Sequence, residues 1–259
     1  MNACVKTTGL DLRIEKANCA IRSPRMAIRG LLVLALLVIG GCGKSEQVNS
    51  PSHPAPAGAG TIHGQVIFGA PVPAPKVVSP SDLWTKVMDE SVVVNPNGTL
   101  RNVLVYLKDA PSGDGGGPPV TLDQKDAQYH PHVLALQVGQ ALIIRNSDAH
   151  IHNVHINSTV NPPQNFSMVS VGAHDPISFT APEFFNIKCD VHPWMDCEVG
   201  VFDHPWFFVT GDDGAFTLSN VPPGNYTLVA RHERYGELSQ SVTVTDKQTT
   251  DASFTYKMP

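Results

Sequence analysis

The stretch that most constrains this chain is Cys189-Asp190-Val191-His192-Pro193-Trp194-Met195. It puts a thiol, an imidazole and a thioether within one short loop, where a tight turn can aim all three at a single point. Soft sulfur donors combined with imidazole select copper over magnesium or calcium, and two histidines, one cysteine and a weak axial methionine describe a blue-copper centre. The loop supplies one histidine, so the second has to come from elsewhere. The upstream run Asn146-Ser147-Asp148-Ala149-His150-Ile151-His152-Asn153-Val154-His155 offers three candidates. His150 and His152 share strand parity and His155 falls on the opposite face, so spacing alone does not separate the first two.

The rest of the chain reads as strand and turn. Charged residues make up only 16% of the 259, and 21 Gly with 22 Pro supply many chain reversals, which favours an all-β protein over a helical one. Ile62, Gly64, Val66 and Phe68 alternate with polar positions, and Leu134, Leu136 and Val138 recur at every second position before the turn Gly139-Gln140. Residues 102–107 form a β-branched and aromatic run, and Asn95-Pro96-Asn97-Gly98 is a turn. Residues 81–90 are predicted to form one or two helical turns, and residues 111–119, rich in Gly and Pro, mark a break. Strands are predicted within 120–145, at 177–179 and 184–188 leading into Cys189, and at 198–202 after the loop.

The first 42 residues read as a signal peptide. Arg22, Arg25 and Arg29 precede an apolar run at 31–41 that is too short to span a bilayer but suits the core of a signal sequence. Ile39-Gly40-Gly41-Cys42 then reads as a lipobox, with Cys42 as the lipidated residue; an uncleaved short anchor is the alternative. Asp11 and Glu15 are unusual in such a leader, which leaves Met1 and Met26 both open as the start. Residues 43–60 lack apolar periodicity and are expected to be a flexible tether. Residues 1–42 carry six Lys/Arg and two Asp/Glu, which leaves 12 against 21 in the remainder, a net charge of −9. That balance argues against nucleic acid as a partner and favours a basic protein. Of the five cysteines, Cys189 and Cys197 lie beyond the lipobox, and in an exported protein such a pair could form a disulfide.

The ligand run and the loop together, His-Asn-Val leading into one strand and Cys-x2-His-x2-Met leading into another, resemble the plastocyanin and amicyanin group of cupredoxins over residues 118–203. The resemblance implies a Greek-key sandwich holding one type 1 copper, with His152, Cys189, His192 and Met195 as ligands. Asn153 is implied as the residue that ties the first ligand strand to the cysteine loop, which favours His152 over His150. Pro193 and Trp194 would flank an apolar electron-exit patch around His192, with Trp194 equally open to an ordinary core role. Cys197 follows the methionine, so the two-cysteine spacing of binuclear copper sites does not fit; its parity with Val199 and Val201 points it into the core. His130 and His132 flank Pro131 and read as surface residues or, alternatively, a second metal site.

The tail carries a second pattern. Asp213-Gly214-Ala215-Phe216-Thr217-Leu218 followed by Pro222-Pro223-Gly224-Asn225-Tyr226-Thr227-Leu228 resembles the carboxypeptidase regulatory-like (transthyretin-like) module. The opening strands of that module would be supplied by Gly64-Gln65-Val66 and the Val103-Leu104-Val105-Tyr106 run. The resulting expectation is one small β-sandwich made of residues 61–110 and 204–257, with the copper domain inserted into it; tandem domains are the alternative.

These readings converge on an exported, lipid-anchored, membrane-associated protein facing the periplasm or cell exterior that carries single electrons. The resemblance suggests a redox partner such as a c-type cytochrome, and no catalytic residue set stands out. A copper-delivery module, and a metal-free interaction domain closed by a Cys189–Cys197 disulfide, are the competing expectations.

Overall fold

The computed structural model describes residues 58–257. The predicted signal peptide, Cys42 and residues 43–57 of the tether lie outside them. Among the described residues there are strands and no helix, as the composition predicts. The chain opens with β1 (Gly60–Phe68) and β2 (Leu104–Leu107). Next come β3 (Val120–Lys125), β4 (Gln128–His130), β5 (Val133–Gln137), β6 (Leu142–Asn146), β7 (His152–Ile156), β8 (Gln164–Met168), β9 (Gly172–Ala173), β10 (Glu183–Lys188) and β11 (Asp196–Phe202). It closes with β12 (Phe207–Val209), β13 (Ala215–Val221), β14 (Gly224–His232), β15 (Gly236–Val244), β16 (Thr249–Asp251) and β17 (Phe254–Tyr256).

These strands form four sheets. β1 pairs with β13, β16 and β17, and faces a sheet ordered β12-β2-β14-β15. Thus both opening strands take their hydrogen-bonding partners from the C-terminal part of the chain. Between these two sheets lies a core that includes Ile62, Val66, Leu107, Phe216, Leu218 and Leu228. Gly64 is required where it stands: a Cβ there would fall 1.6 Å from the carbonyl oxygen of Ala252, so only glycine lets the neighbouring backbone come so near.

The second sandwich packs the sheet β5-β11-β10-β7-β8 against β4-β3-β6-β9. Leu122, Leu134, Leu136, Ile144, Ile187 and Val199 fill it. Each such fully buried side chain contributes roughly 1.5–3 kcal/mol relative to exposure. β2 and β5 are buried on both faces, because a third core joins the sandwiches. Leu104, Tyr106 and Val229 from the first meet Val133, Ala135 and Phe202 from the second. Among the described residues, three apolar clusters therefore join the four sheets.

Residues 81–90 do not form the predicted helical turns. Instead the chain doubles back, with Val78 N–H donating to Val87 O, Asp89 N–H to Lys76 O, and Val87 N–H to Ser79 Oγ. Burial of Val87, 1% exposed, favours this closed loop, because the bonds across it take up the backbone groups that a helix would have used along its axis.

Candidate metal centre

The site is built where β7 and the β10–β11 connection reach the same end of the second sandwich. The seven-residue loop is closed by its own backbone: Cys189 N–H donates to Met195 O at 3.0 Å and Met195 N–H to His192 O at 2.9 Å. This turn brings Cys189 and His192 beside His152, the first residue of β7. The ring nitrogens and the sulfur of His152, Cys189 and His192 all lie within 4.8 Å of one another. His152 Nδ1 is 3.1 Å from His192 Nδ1, and Cys189 Sγ is 3.6 Å from His192 Nδ1. The Met195 side chain is buried in the same core as Cys189. Two imidazoles and a thiol form a soft, mixed donor set that fits copper.

Neighbouring groups fix the orientation. The N–H of Asn153 donates to Cys189 Sγ at 3.3 Å, while Asn153 Oδ1 accepts from the N–H of Asp190. Burial pushes the Cys189 thiol up, but the bond to His152 and the N–H groups of Asn153, Val191 and His192 outweigh it and bring the thiol below its ordinary range. His192 is pushed down by burial and by the proximity of His152, which keeps its nitrogen lone pair free. Cys197, fully buried, has its thiol pushed well up and lies in the core with Val199 and Val201. Both cysteines are free.

One functional residue escaped the sequence reading. Asp148 Oδ2 lies 2.9 Å from His152 Nε2, so the outer nitrogen is held and Nδ1 is turned toward the thiol. The same carboxylate accepts N–H bonds from Asp126 and Ala127, the two-residue turn between β3 and β4. Both of those residues have positive φ, 54° and 57°, the backbone of a tight hairpin turn. Burial raises the Asp148 carboxyl, but the two N–H groups and His152 prevail and lower it. Trp194 Nε1 donates to Ala127 O, so one turn braces both ligand-bearing segments. The only sequence signal for Asp148 is a carboxylate four residues before a histidine, which also reads as ordinary turn grammar.

The other candidates are dispersed. His150 points outward and stacks on Trp84; His155 pairs with Asp190 at the surface. Pro193 is exposed, whereas Trp194 is half-buried with its ring 5.4 Å from His192. His132 is no surface residue: 8% exposed, its Nε2 donates to Glu233 at 2.8 Å across the junction of the two sandwiches.

Among solved structures, a copper-containing nitrite reductase from Thermus scotoductus is similar at 22% identity over 32% of this chain, with a TM-score of 0.30. The matched region spans 22% of that reductase. Two amicyanin structures, a Cu(I) methionine-to-alanine variant and an oxidized methionine-to-leucine variant, are similar at 23% and 25% identity. They match 38% and 32% of this chain and 97% and 80% of their own, each with a TM-score of 0.29. No curated protein matches the chain. Residues 199–257 match the model of the carboxypeptidase regulatory-like domain, so the region from the second half of β11 to β17 is similar to that family, as its D-G-x-F-x-L and P-P-G-x-Y-x-L motifs predict.

Proposed function

We propose that this chain holds one copper ion between His152, Cys189, His192 and Met195 and carries single electrons between redox proteins. The observation that supports it most is the convergence of two imidazole nitrogens and one sulfur within 4.8 Å, on backbone already fixed by hydrogen bonds. Copper bound there would supply a reversible one-electron couple. The chain's own part is to hold the donors still. Asp148 locks the ring of His152, Asn153 stabilises the negative sulfur of Cys189, and the closed loop limits how far His192 can swing. A site that stays in place in both oxidation states loses little energy to rearrangement. Four donors from the chain leave no position for a substrate, so the reading is a carrier and not an enzyme. It includes a lipid anchor through Cys42, location at a membrane facing the periplasm or cell exterior, and a one-electron partner such as a c-type cytochrome.

The optical spectrum with one equivalent of Cu(II) tests this. A strong thiolate-to-copper charge-transfer band is expected in the wild-type protein and its complete loss in Cys189→Ser. A band that survives this substitution, or copper stripped at once by a chelator, contradicts the carrier reading; rapid stripping points to delivery instead.

A further inference from the structure

The sequence offers three tryptophans, and the one that faces solvent over the metal end comes from outside the second sandwich. Trp84 sits in the loop between β1 and β2. That loop is pinned at its base, where Gln128 Nε2 donates to Met88 O and to Glu90 Oε2. The indole stacks on His150, centroids 3.9 Å apart and planes 19° apart, and meets the ring of His192 edge-on at 5.9 Å. His192 itself is only 8% exposed, while Trp84 is 47% exposed. Its imidazole is thus approached from inside by Trp194 and from the solvent side by Trp84. Ile151 and Val191, each adjacent in sequence to a donor histidine, are 45% and 47% exposed.

We propose that Trp84, lent by the β1–β2 loop, is the port through which a protein partner exchanges electrons with the His192 side of the site. This rests on the copper reading above. The indole meets His192 edge-on and extends from it to solvent, and its exposed face gives a redox protein a rigid aromatic anchor of the kind that dominates docking energy. Removing it leaves a recess over His192. A protein surface cannot follow the imidazole into that recess and loses the contact, since even a small gap forfeits much of the dispersion attraction. A small ion can enter it.

The consequence is a crossed effect. In Trp84→Ala, electron self-exchange between oxidised and reduced copies, read from NMR line broadening in mixtures, should fall about tenfold or more, while Trp84→Phe stays within about threefold of wild type. Oxidation by hexacyanoferrate(III) and extraction of copper by a small chelator should both become faster in Trp84→Ala. In the metal-free protein, the ring protons of His150 should lose the upfield shift that a stacked indole imposes. Val160→Ser, an exposed apolar position in the connection that follows the end of β7 opposite His152, should leave every rate unchanged. If protein self-exchange rises along with the small-reagent rates, or if neither changes, Trp84 is not the port. His150 protons that do not move would show that the stack is absent in solution, which also overturns it. A wild-type protein without the charge-transfer band would remove the copper reading itself, a different failure from any of these.

Discussion

Two buried histidines in this molecule each pair with a carboxylate, His152 with Asp148 at 2.9 Å and His132 with Glu233 at 2.8 Å, and the surroundings give the pairs different work. At the metal end the carboxylate is also satisfied by two backbone N–H groups, and the far nitrogen of the histidine looks at a thiol. The result is charge held in place, with Asp148 and Cys189 both shifted toward their ionised forms. At the junction between sandwiches Glu233 has Asp196 and Glu198 beside it, with carboxylate oxygens within 4.8 Å of one another. Burial, together with that crowding, raises the carboxyls of Asp196 and Glu198. The first pair orients donors toward one point; the second is a latch between two halves whose strength depends on protonation.

The strongest way to separate the two is to force the junction apart and leave the metal end alone. Gly200 lies in β11 facing the first sandwich, and a Cβ there would come within 2.7 Å of Leu104 and 3.0 Å of Phe202. Gly200→Val should therefore destabilise the protein by about 3 kcal/mol or more, the upper end of overpacking costs. Urea unfolding reads this directly. Below the unfolding transition the charge-transfer band should be retained, since His152, Cys189, His192 and Met195 are not among the residues of the junction core. Loss of the band in folded Gly200→Val protein would mean that the metal end depends on the seam, and the two regions would not be separable.

The latch itself should respond to pH. Burial lowers the basicity of His132, but the bond and charge of Glu233, aided by Asp196 and Glu90, prevail and raise its pKa to about 9. The folded value exceeds the unfolded value of roughly 6.5, so the contribution is complete below that pH and is lost as pH rises through about 9. The raised carboxyls of Asp196 and Glu198 act in the same direction at lower pH, because they too favour the protonated folded state. The expected loss between pH 6.5 and 9.5 is about 2–3 kcal/mol, measured as a falling urea midpoint. In Glu233→Gln that alkaline slope should flatten. An unchanged slope would move the titration to other groups and leave the pair without an energetic role.

What could be read in advance follows from how local each contact is. The meeting of Cys189 and His192 was legible because they stand three residues apart in one loop, so chain connectivity alone brings the sulfur near the imidazole. Alternation along β1 pointed to the all-β class, since a half-buried strand leaves a period of two. Contacts made across the fold left no such trace. His132 and Glu233 stand 101 residues apart, and nothing around either one announces the other. Trp84 sits in a segment whose local composition favours helical turns, and only the closed loop across Val78 and Val87 turns it toward His150. Asp148 looks like a turn residue and is one; its second task, on His152, depends on the β3–β4 turn arriving from another sheet.

Cys197 gives the smallest expected effect and sharpens the metal end from the inside. It lies two residues past Met195, fully buried, and its thiol donates weakly to Glu198 O at 3.6 Å. Burial drives its pKa well up, so it stays a neutral thiol and behaves as a small apolar group. Serine has nearly the same shape and can donate to the same carbonyl, so Cys197→Ser should change stability by only about 1 kcal/mol, the net worth of one such bond. The charge-transfer band should be indistinguishable from wild type, and a mild reductant should not alter the unfolding midpoint of the metal-free protein, because both cysteines are free. If Cys197→Ser instead erased the band, or if reduction destabilised the metal-free wild type, the second sulfur would be part of the site or bonded to the first. The copper loop would then have to be redrawn around two cysteines.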